Sequence, residues 1–269
     1  MNPYKAAAIQ MNSQTEISYN LEQAHFLIRK ASEQGARLIG LPENFAFLGD
    51  LEVRLDMAGE ISEKASSFLK SCAREFDIYL LGGSFPVPAG NGKTYNRSIL
   101  LDPDGNELAI YDKIHLFDVD LPDGESYRES DFVKSGQKSA AFYKSEEIGT
   151  IGLSICYDLR FPELYRLLMN EKCDLLCVPS AFTATTGRDH WELLLRTRAI
   201  ENTAYVFAPA QTGLHGKKRK TYGHSMIIDP WGYVVAEVDI KTGFAIKEIN
   251  PKRIKEVRTR IPSLKHRVI

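Results

Sequence analysis

The sequence predicts an α/β fold in which two mixed β-sheets pack face to face with helices outside. Three observations carry this expectation. Short apolar, β-rich runs alternate with segments whose apolar residues recur at steps of three and four. A strand–helix–strand–helix–strand–hairpin plan occurs twice along the chain. The second occurrence also echoes the first in literal residues. Ser98-Ile-Leu-Leu-Asp-Pro-Asp-Gly matches Ser225-Met-Ile-Ile-Asp-Pro-Trp-Gly, and Leu38-Ile-Gly-Leu-Pro matches Leu175-Leu-Cys-Val-Pro.

In order, Tyr4–Met11 reads as a buried strand. Ile17, Leu21, Ala24, Ile28 and Ala31 space as an amphipathic helix that Gly35 stops. Arg37–Leu41 is a strand closed by Pro42-Glu43-Asn44-Phe45. Ile61, Ala65, Phe68, Leu69, Cys72 and Phe76 share one helix face, and Ile78–Gly82 is a third strand. Ser98–Leu101 and Glu107–Tyr111 make a hairpin about Asp102-Pro-Asp-Gly105, a sequence suited to a tight reversal. Phe117–Lys138, irregular and rich in Asp, Gly and Ser, has the length of a functional loop. The second round has strands at Thr150–Ile155, Asp174–Val178 and Ala204–Ala208. Helices are expected at Glu163–Glu171 and through Trp191–Asn202, and a hairpin at Asp229-Pro-Trp-Gly232. No Gly/Ser-rich or charged linker divides the halves, so residues 1–269 are expected to form one domain.

Composition narrows the function. Net charge is -1 over 269 residues, which supplies no broad field for nucleic acid or an anionic membrane. No apolar run approaches the ~20 residues that span a bilayer. The N-terminus lacks the apolar stretch of a secretory signal. Four cysteines (Cys72, Cys156, Cys173, Cys177) are too few for a disulfide scaffold, and a reducing, cytoplasmic setting is expected. Cys173 and Cys177 lie on a strand and its approach, and the six histidines show no ligand spacing, so neither metal nor cofactor is expected.

Glu43, Lys113 and Cys156 each follow an apolar strand-like run, where charge is costly without a purpose. Singly they read as a turn carboxylate, a rim cation and a core cysteine. Together they suit acyl transfer through a thioester. Cys156 would attack a carbonyl, Glu43 would take the thiol proton, and Lys113 with the Tyr157 N–H would face the oxyanion. Free thiol and glutamate pKa values differ by about 4 units, which costs roughly 6 kcal/mol for proton transfer. The expectation is that burial raises Glu43 and the ammonium favours the thiolate, narrowing that gap. Arg160 could bind a substrate carboxylate bidentately or pair with Glu163 at the helix entry. Lys217-Lys-Arg-Lys220 reads as a solvated basic loop rather than a nucleic-acid patch, and for an amide substrate it could also help bind a carboxylate.

Leu41-Pro-Glu43-Asn-Phe, Tyr111-Asp-Lys113-Ile-His-Leu-Phe-Asp and Ile155-Cys156-Tyr-Asp-Leu-Arg-Phe-Pro-Glu resemble the three signature blocks of the nitrilase superfamily of carbon–nitrogen hydrolases. The similarity runs over roughly residues 4–250. It implies an αββα sandwich, a Glu-Lys-Cys triad at Glu43, Lys113 and Cys156, and a homodimer or larger homo-oligomer. It also implies a second glutamate, Glu129, holding Lys113 or orienting substrate. The Cys156-Tyr-Asp-x-Arg160 block resembles the amidase branch. Pro179-Ser-Ala-Phe182-Thr183, His190-Trp-Glu and the segment Ala210-Gln-Thr-Gly through Tyr222-Gly-His-Ser resemble deaminated-glutathione amidases, implying substrate contacts at Phe182 and Thr183. The implied partner is a small-molecule amide, with ω-amidase and N-carbamoyl amino acid hydrolase as alternatives.

Overall fold

Alternate residues of the first strand, β1 (Tyr4–Met11), serve two different cores. Ala6 and Ala8 pack with Leu38, Leu81, Ile151, Leu153, Leu175 and Phe207. Ala7 and Ile9 pack with Ile28, Ile39, Ile61 and Leu69. A strand buried on both faces must lie between two layers, and the rest of the chain supplies them. The structure is a computed structural model describing residues 1–268 except 122, 123, 125 and 217.

After β1 come α1 (Ile17–Glu33), β2 (Ala36–Gly40), α2 (Leu51–Asp56), α3 (Ala58–Phe76), β3 (Tyr79–Leu81), β4 (Phe85–Gly90), β5 (Lys93–Leu101) and β6 (Glu107–Asp112). A short ribbon follows, β7 (Asp118–Asp120) and β8 (Ser126–Arg128). The second half holds β9 (Ala141–Ser145), β10 (Gly149–Leu153), α4 (Pro162–Asn170), β11 (Leu175–Cys177), α5 (Ala184–Asn202) and β12 (Tyr205–Ala208). It ends with β13 (Ala210–His215), β14 (Arg219–Tyr222), β15 (Met226–Ile228), β16 (Val234–Glu237), β17 (Gly243–Ile249) and α6 (Pro251–Arg260).

One sheet has the order β14-β13-β1-β2-β3-β5-β4, with β17 added on β1 and β6 on β5; the other runs β16-β15-β12-β11-β10-β9. The internal echo becomes topology. β1, β2 and β3 are mutually parallel and then meet the antiparallel β5–β6 hairpin. β10, β11 and β12 do the same with β15–β16. The two matched turns close alike: Asp102 Oδ1 accepts from Asn106 N, and Asp229 Oδ1 from Tyr233 N. α1 and α3 cover one outer face, and α4 and α5 the other through Tyr165, Leu168, Trp191 and Leu195. Phe207 sits so close to Gly40 that a Cβ there would lie 2.3 Å from its ring, which draws the inner faces of the two sheets together.

Several elements carry little sequence signal. β4 holds Pro86 and Pro88 and, among the described residues, pairs with β5 alone, as suits a proline-bearing edge strand. α6 buries just Ile254 and Val257, and its start is defined by the Asn250 side chain capping Lys252 N with Pro251 in the first turn. The expected helix through Trp191–Asn202 begins earlier, at Ala184, because Thr183 caps it by accepting from Thr186 N. Lys217 of the basic loop and part of the Phe117–Lys138 loop lie outside the described residues.

Candidate active site

Cys156 does not end its strand. β10 stops at Leu153, and Cys156 opens a tight 3-10 turn running to Arg160, with φ at 49°. A side chain in that left-handed region costs of order 1–3 kcal/mol and persists only where neighbours enforce it. Here the enforcement is visible. Cys156 N donates to Pro179 O at 3.0 Å. The buried Asp158 carboxylate accepts from Ile155 N at 2.9 Å, Tyr111 Oη at 2.7 Å, and His115 through both its backbone N and Nδ1. Asp158 thereby ties the Cys156 turn to the segment that carries Lys113. Pro162 then opens α4 in its first turn, as its sequence position suggests.

Glu43 leaves the end of β2 by way of Pro42. Gly83 presses against this corner; a Cβ on it would lie 2.1 Å from Pro42 O. Glu43 is 2% exposed, and every contact its carboxylate makes is specific. Oε1 accepts from Asn96 Nδ2 at 2.9 Å and Lys113 Nζ at 3.1 Å, while Oε2 accepts from Ala181 N at 2.9 Å. The Cys156 thiol also donates to it. The two echoing strand ends, Leu41-Pro42-Glu43 and Val178-Pro179-Ser180-Ala181, thus meet across the site.

Lys113 follows β6 and is likewise 2% exposed. Its ammonium lies 2.9 Å from Glu129 Oε2, which also accepts from Phe117 N at 2.7 Å. Glu129 stands where the β7–β8 ribbon returns, so the irregular loop does contribute to the site. Asn96, Asp158 and the Ala181 N–H complete the network, and residue spacing gave no hint of them.

The electrostatics differ from expectation. Burial raises the Glu43 carboxyl, but the Lys113 charge and the hydrogen bond from Cys156 prevail and hold it below its ordinary value. Burial, then the Glu43 charge, push the Cys156 thiol up against the pull of Lys113. Burial disfavours the Lys113 ammonium, yet Glu129 and Glu43 outweigh it and raise its pKa. The gap between thiol and carboxylate is therefore widened, not narrowed, in the resting site. The ground state is thiol, carboxylate and ammonium.

These groups line one pocket. Tyr157, Arg160, Phe182 and Thr183 line it too, as do Arg54 and Arg219. The Arg160 guanidinium lies over the Tyr157 and Phe182 rings, with His190 Nδ1 at 3.3 Å. Among the described residues it forms no ion pair with Glu163, so that alternative is set aside. Phe182 packs on Trp191, and the Thr183 hydroxyl is occupied in capping α5. A buried thiol, carboxylate and lysine gathered at strand ends of a two-sheet sandwich mark a cysteine-dependent hydrolase.

The chain belongs to the carbon–nitrogen hydrolase family, whose model matches residues 5–259. It is 54% identical to a deaminated glutathione amidase of Synechocystis, over all of this chain and 99% of that one. It is 36% identical to omega-amidase NIT2 of Mus musculus, over 99% of this chain and 96% of the relative. The crystal structure of the Caenorhabditis elegans NitFhit protein superposes with a TM-score of 0.91 at 36% identity, covering all of this chain and 66% of that one. An amidase variant from Nesterenkonia sp. AN1, carrying acrylamide added at its active-site cysteine, matches at 25% identity and a TM-score of 0.81, over 97% of this chain and 99% of that one. The chain is a hydrolase of amides with the two-sheet fold of these structures.

Proposed function

We propose that this amidase cleaves deaminated glutathione to 2-oxoglutarate and Cys-Gly through a thioester on Cys156. The observation that carries the mechanism is the unbroken contact series Cys156–Glu43–Lys113–Glu129 within one buried pocket. Similarity to the Synechocystis amidase supports the substrate. The amide carbonyl enters beside Lys113 and the Tyr157 N–H, which face the oxygen as it gains charge. Sulfur attacks the carbonyl carbon while its proton passes to Glu43. Collapse of the adduct breaks the C–N bond, and Glu43 returns the proton to the departing amine. Water then attacks the thioester, giving a proton to Glu43. As the carboxylic product leaves, that proton returns to sulfur. Glu129 keeps Lys113 charged and aimed. Arg160, Phe182 and Thr183 border the leaving group. A reducing, cytoplasmic setting suits four free cysteines.

The test is a substrate panel read by keto-acid or amine release: deaminated glutathione, 2-oxoglutaramate and an N-carbamoyl amino acid. Deaminated glutathione is expected to give the highest kcat/KM, with 2-oxoglutaramate turned over more slowly. Preference for 2-oxoglutaramate would make the chain an ω-amidase, as its NIT2 relatives are named. Preference for the carbamoyl compound would overturn the reading.

A further inference from the structure

Glu43 takes and returns a proton in the proposed chemistry, and the fold treats its two carboxylate oxygens differently. A carboxylate accepts at about four lone-pair sites, two on each oxygen. Oε1 is filled by Asn96 Nδ2 at 2.9 Å and Lys113 Nζ at 3.1 Å. Oε2 accepts from Ala181 N at 2.9 Å, so by this count the site left for the Cys156 proton lies on Oε2. Asn96, on β5, is 1% exposed and is tied to both sides of the site, since its backbone O accepts from Lys113 N at 2.9 Å. An ionised carboxylate only accepts, so the amide must turn its N–H toward Glu43. That orientation leaves Asn96 Oδ1 buried without a donor among the described residues. An unpaired buried amide oxygen is a net cost to the fold. A leucine of similar shape would avoid that cost, so stability alone does not account for asparagine at this position.

We propose that Asn96 is a positioning residue that, with Lys113, fills Oε1 and fixes Oε2 as the oxygen that exchanges protons with sulfur and the leaving amine. This rests on the amidase mechanism above. As the S–C bond forms, the S–H bond breaks and its proton bonds to Oε2; as the C–N bond breaks, that proton passes to nitrogen. Without the Asn96 donor, Oε1 regains a free lone pair and competes for the proton on the Lys113 side of the carboxylate. The amide also supplies its donor without charge. Lys113, Arg219 and Arg54 already favour the ionised carboxylate, the Cys156 thiol hydrogen-bonds to it, and Glu129 faces Lys113 from the other side. A further cation there would bind the carboxylate about twice as strongly as a neutral N–H and weaken the base.

The experiment follows steady-state turnover of the best amide of the panel above against pH, in the wild-type and Asn96→Leu proteins, with thermal melts alongside. A hydrogen bond to the charged form favours it, so losing the donor raises the Glu43 pKa. The expected result for Asn96→Leu is a kcat lower by about 10- to 100-fold with KM within about 3-fold, at an unchanged or higher Tm. The acid limb of kcat/KM should move up by about 1 pH unit. A kcat within about 3-fold of wild type, or a loss with the acid limb unmoved, would make Asn96 a packing residue and overturn the proposal. Should Asn96→Leu fail to fold, Asn96→Asp keeps the shape and lacks the donor when ionised, and the same two readouts decide. If the wild-type protein cleaves no amide of the panel, the amidase reading fails, and alkylation of Cys156 by iodoacetamide, read by peptide mapping, decides the role of Asn96 by itself. An acid limb of alkylation moved up by about 1 pH unit in Asn96→Leu would uphold it; coincident limbs would overturn it.

Discussion

Cys156 combines a left-handed backbone with a buried side chain, and its thiol is held protonated against an ionised neighbour. Under the proposed mechanism such a site is quiet until a carbonyl arrives, since a protonated thiol is a poor nucleophile. Lys113 sits between two carboxylates and stays charged. Under the proposed mechanism, Glu129→Gln leaves Lys113 with one carboxylate and a loosened aim. The expected result is a fall in kcat of about 100-fold or more with KM changed little, checked by steady-state kinetics. At this scale the sequence was partly legible. Glu43, Lys113 and Cys156 stood out because charge and thiol followed apolar strands. Arg54 did not, since nothing in the spacing of residues 51–56 marks it and only the fold buries its side chain. The pKa directions were misjudged for a related reason. Spacing places an ammonium near a carboxylate but does not weigh its pull against burial.

Among elements, the short turn from Cys156 to Arg160 matters most, and Asp158 is its keystone. Asp158→Ala would strand Tyr111 Oη, Ile155 N and the His115 donors in a buried setting. The expected cost is about 3–5 kcal/mol of stability, measured by urea unfolding, with a loss of activity because both Cys156 and Lys113 are released. Asp158→Asn keeps an acceptor and should recover part of the stability. The strand–helix–strand plan was readable in each half because apolar periodicity reports a buried face. β4, β17 and α6 were not: prolines, a mixed pattern and two buried residues respectively leave nothing periodic to detect.

Across the whole molecule, the platform under Glu43 is assembled from distant parts of the chain. His215 Nδ1 donates to Ser13 O and Nε2 accepts from Thr221 Oγ1; Ser13 N in turn donates to Gln211 Oε1, and Gln211 Nε2 to Glu43 O. His215 is therefore neutral in the fold, its pKa pushed down by burial to about 4. In the unfolded chain the ordinary value is about 6.5. Between those values the unfolded state binds the extra proton, so stability falls as pH drops from about 6.5 to about 4, by up to about 3 kcal/mol. Below that window His215 contributes no further change. Glu43, depressed in the fold, adds its own loss only below about pH 4.3. Thermal melts should show Tm declining through the upper window in the wild-type protein, and a flatter profile for His215→Gln.

The most direct test of the account is rapid-quench mass spectrometry of the intact protein during turnover of deaminated glutathione, followed by peptide mapping. The account predicts a transient acyl adduct on Cys156, absent from a folded and inactive Cys156→Ala protein. An adduct on Cys72, Cys173 or Cys177, or normal turnover by Cys156→Ala, would contradict it.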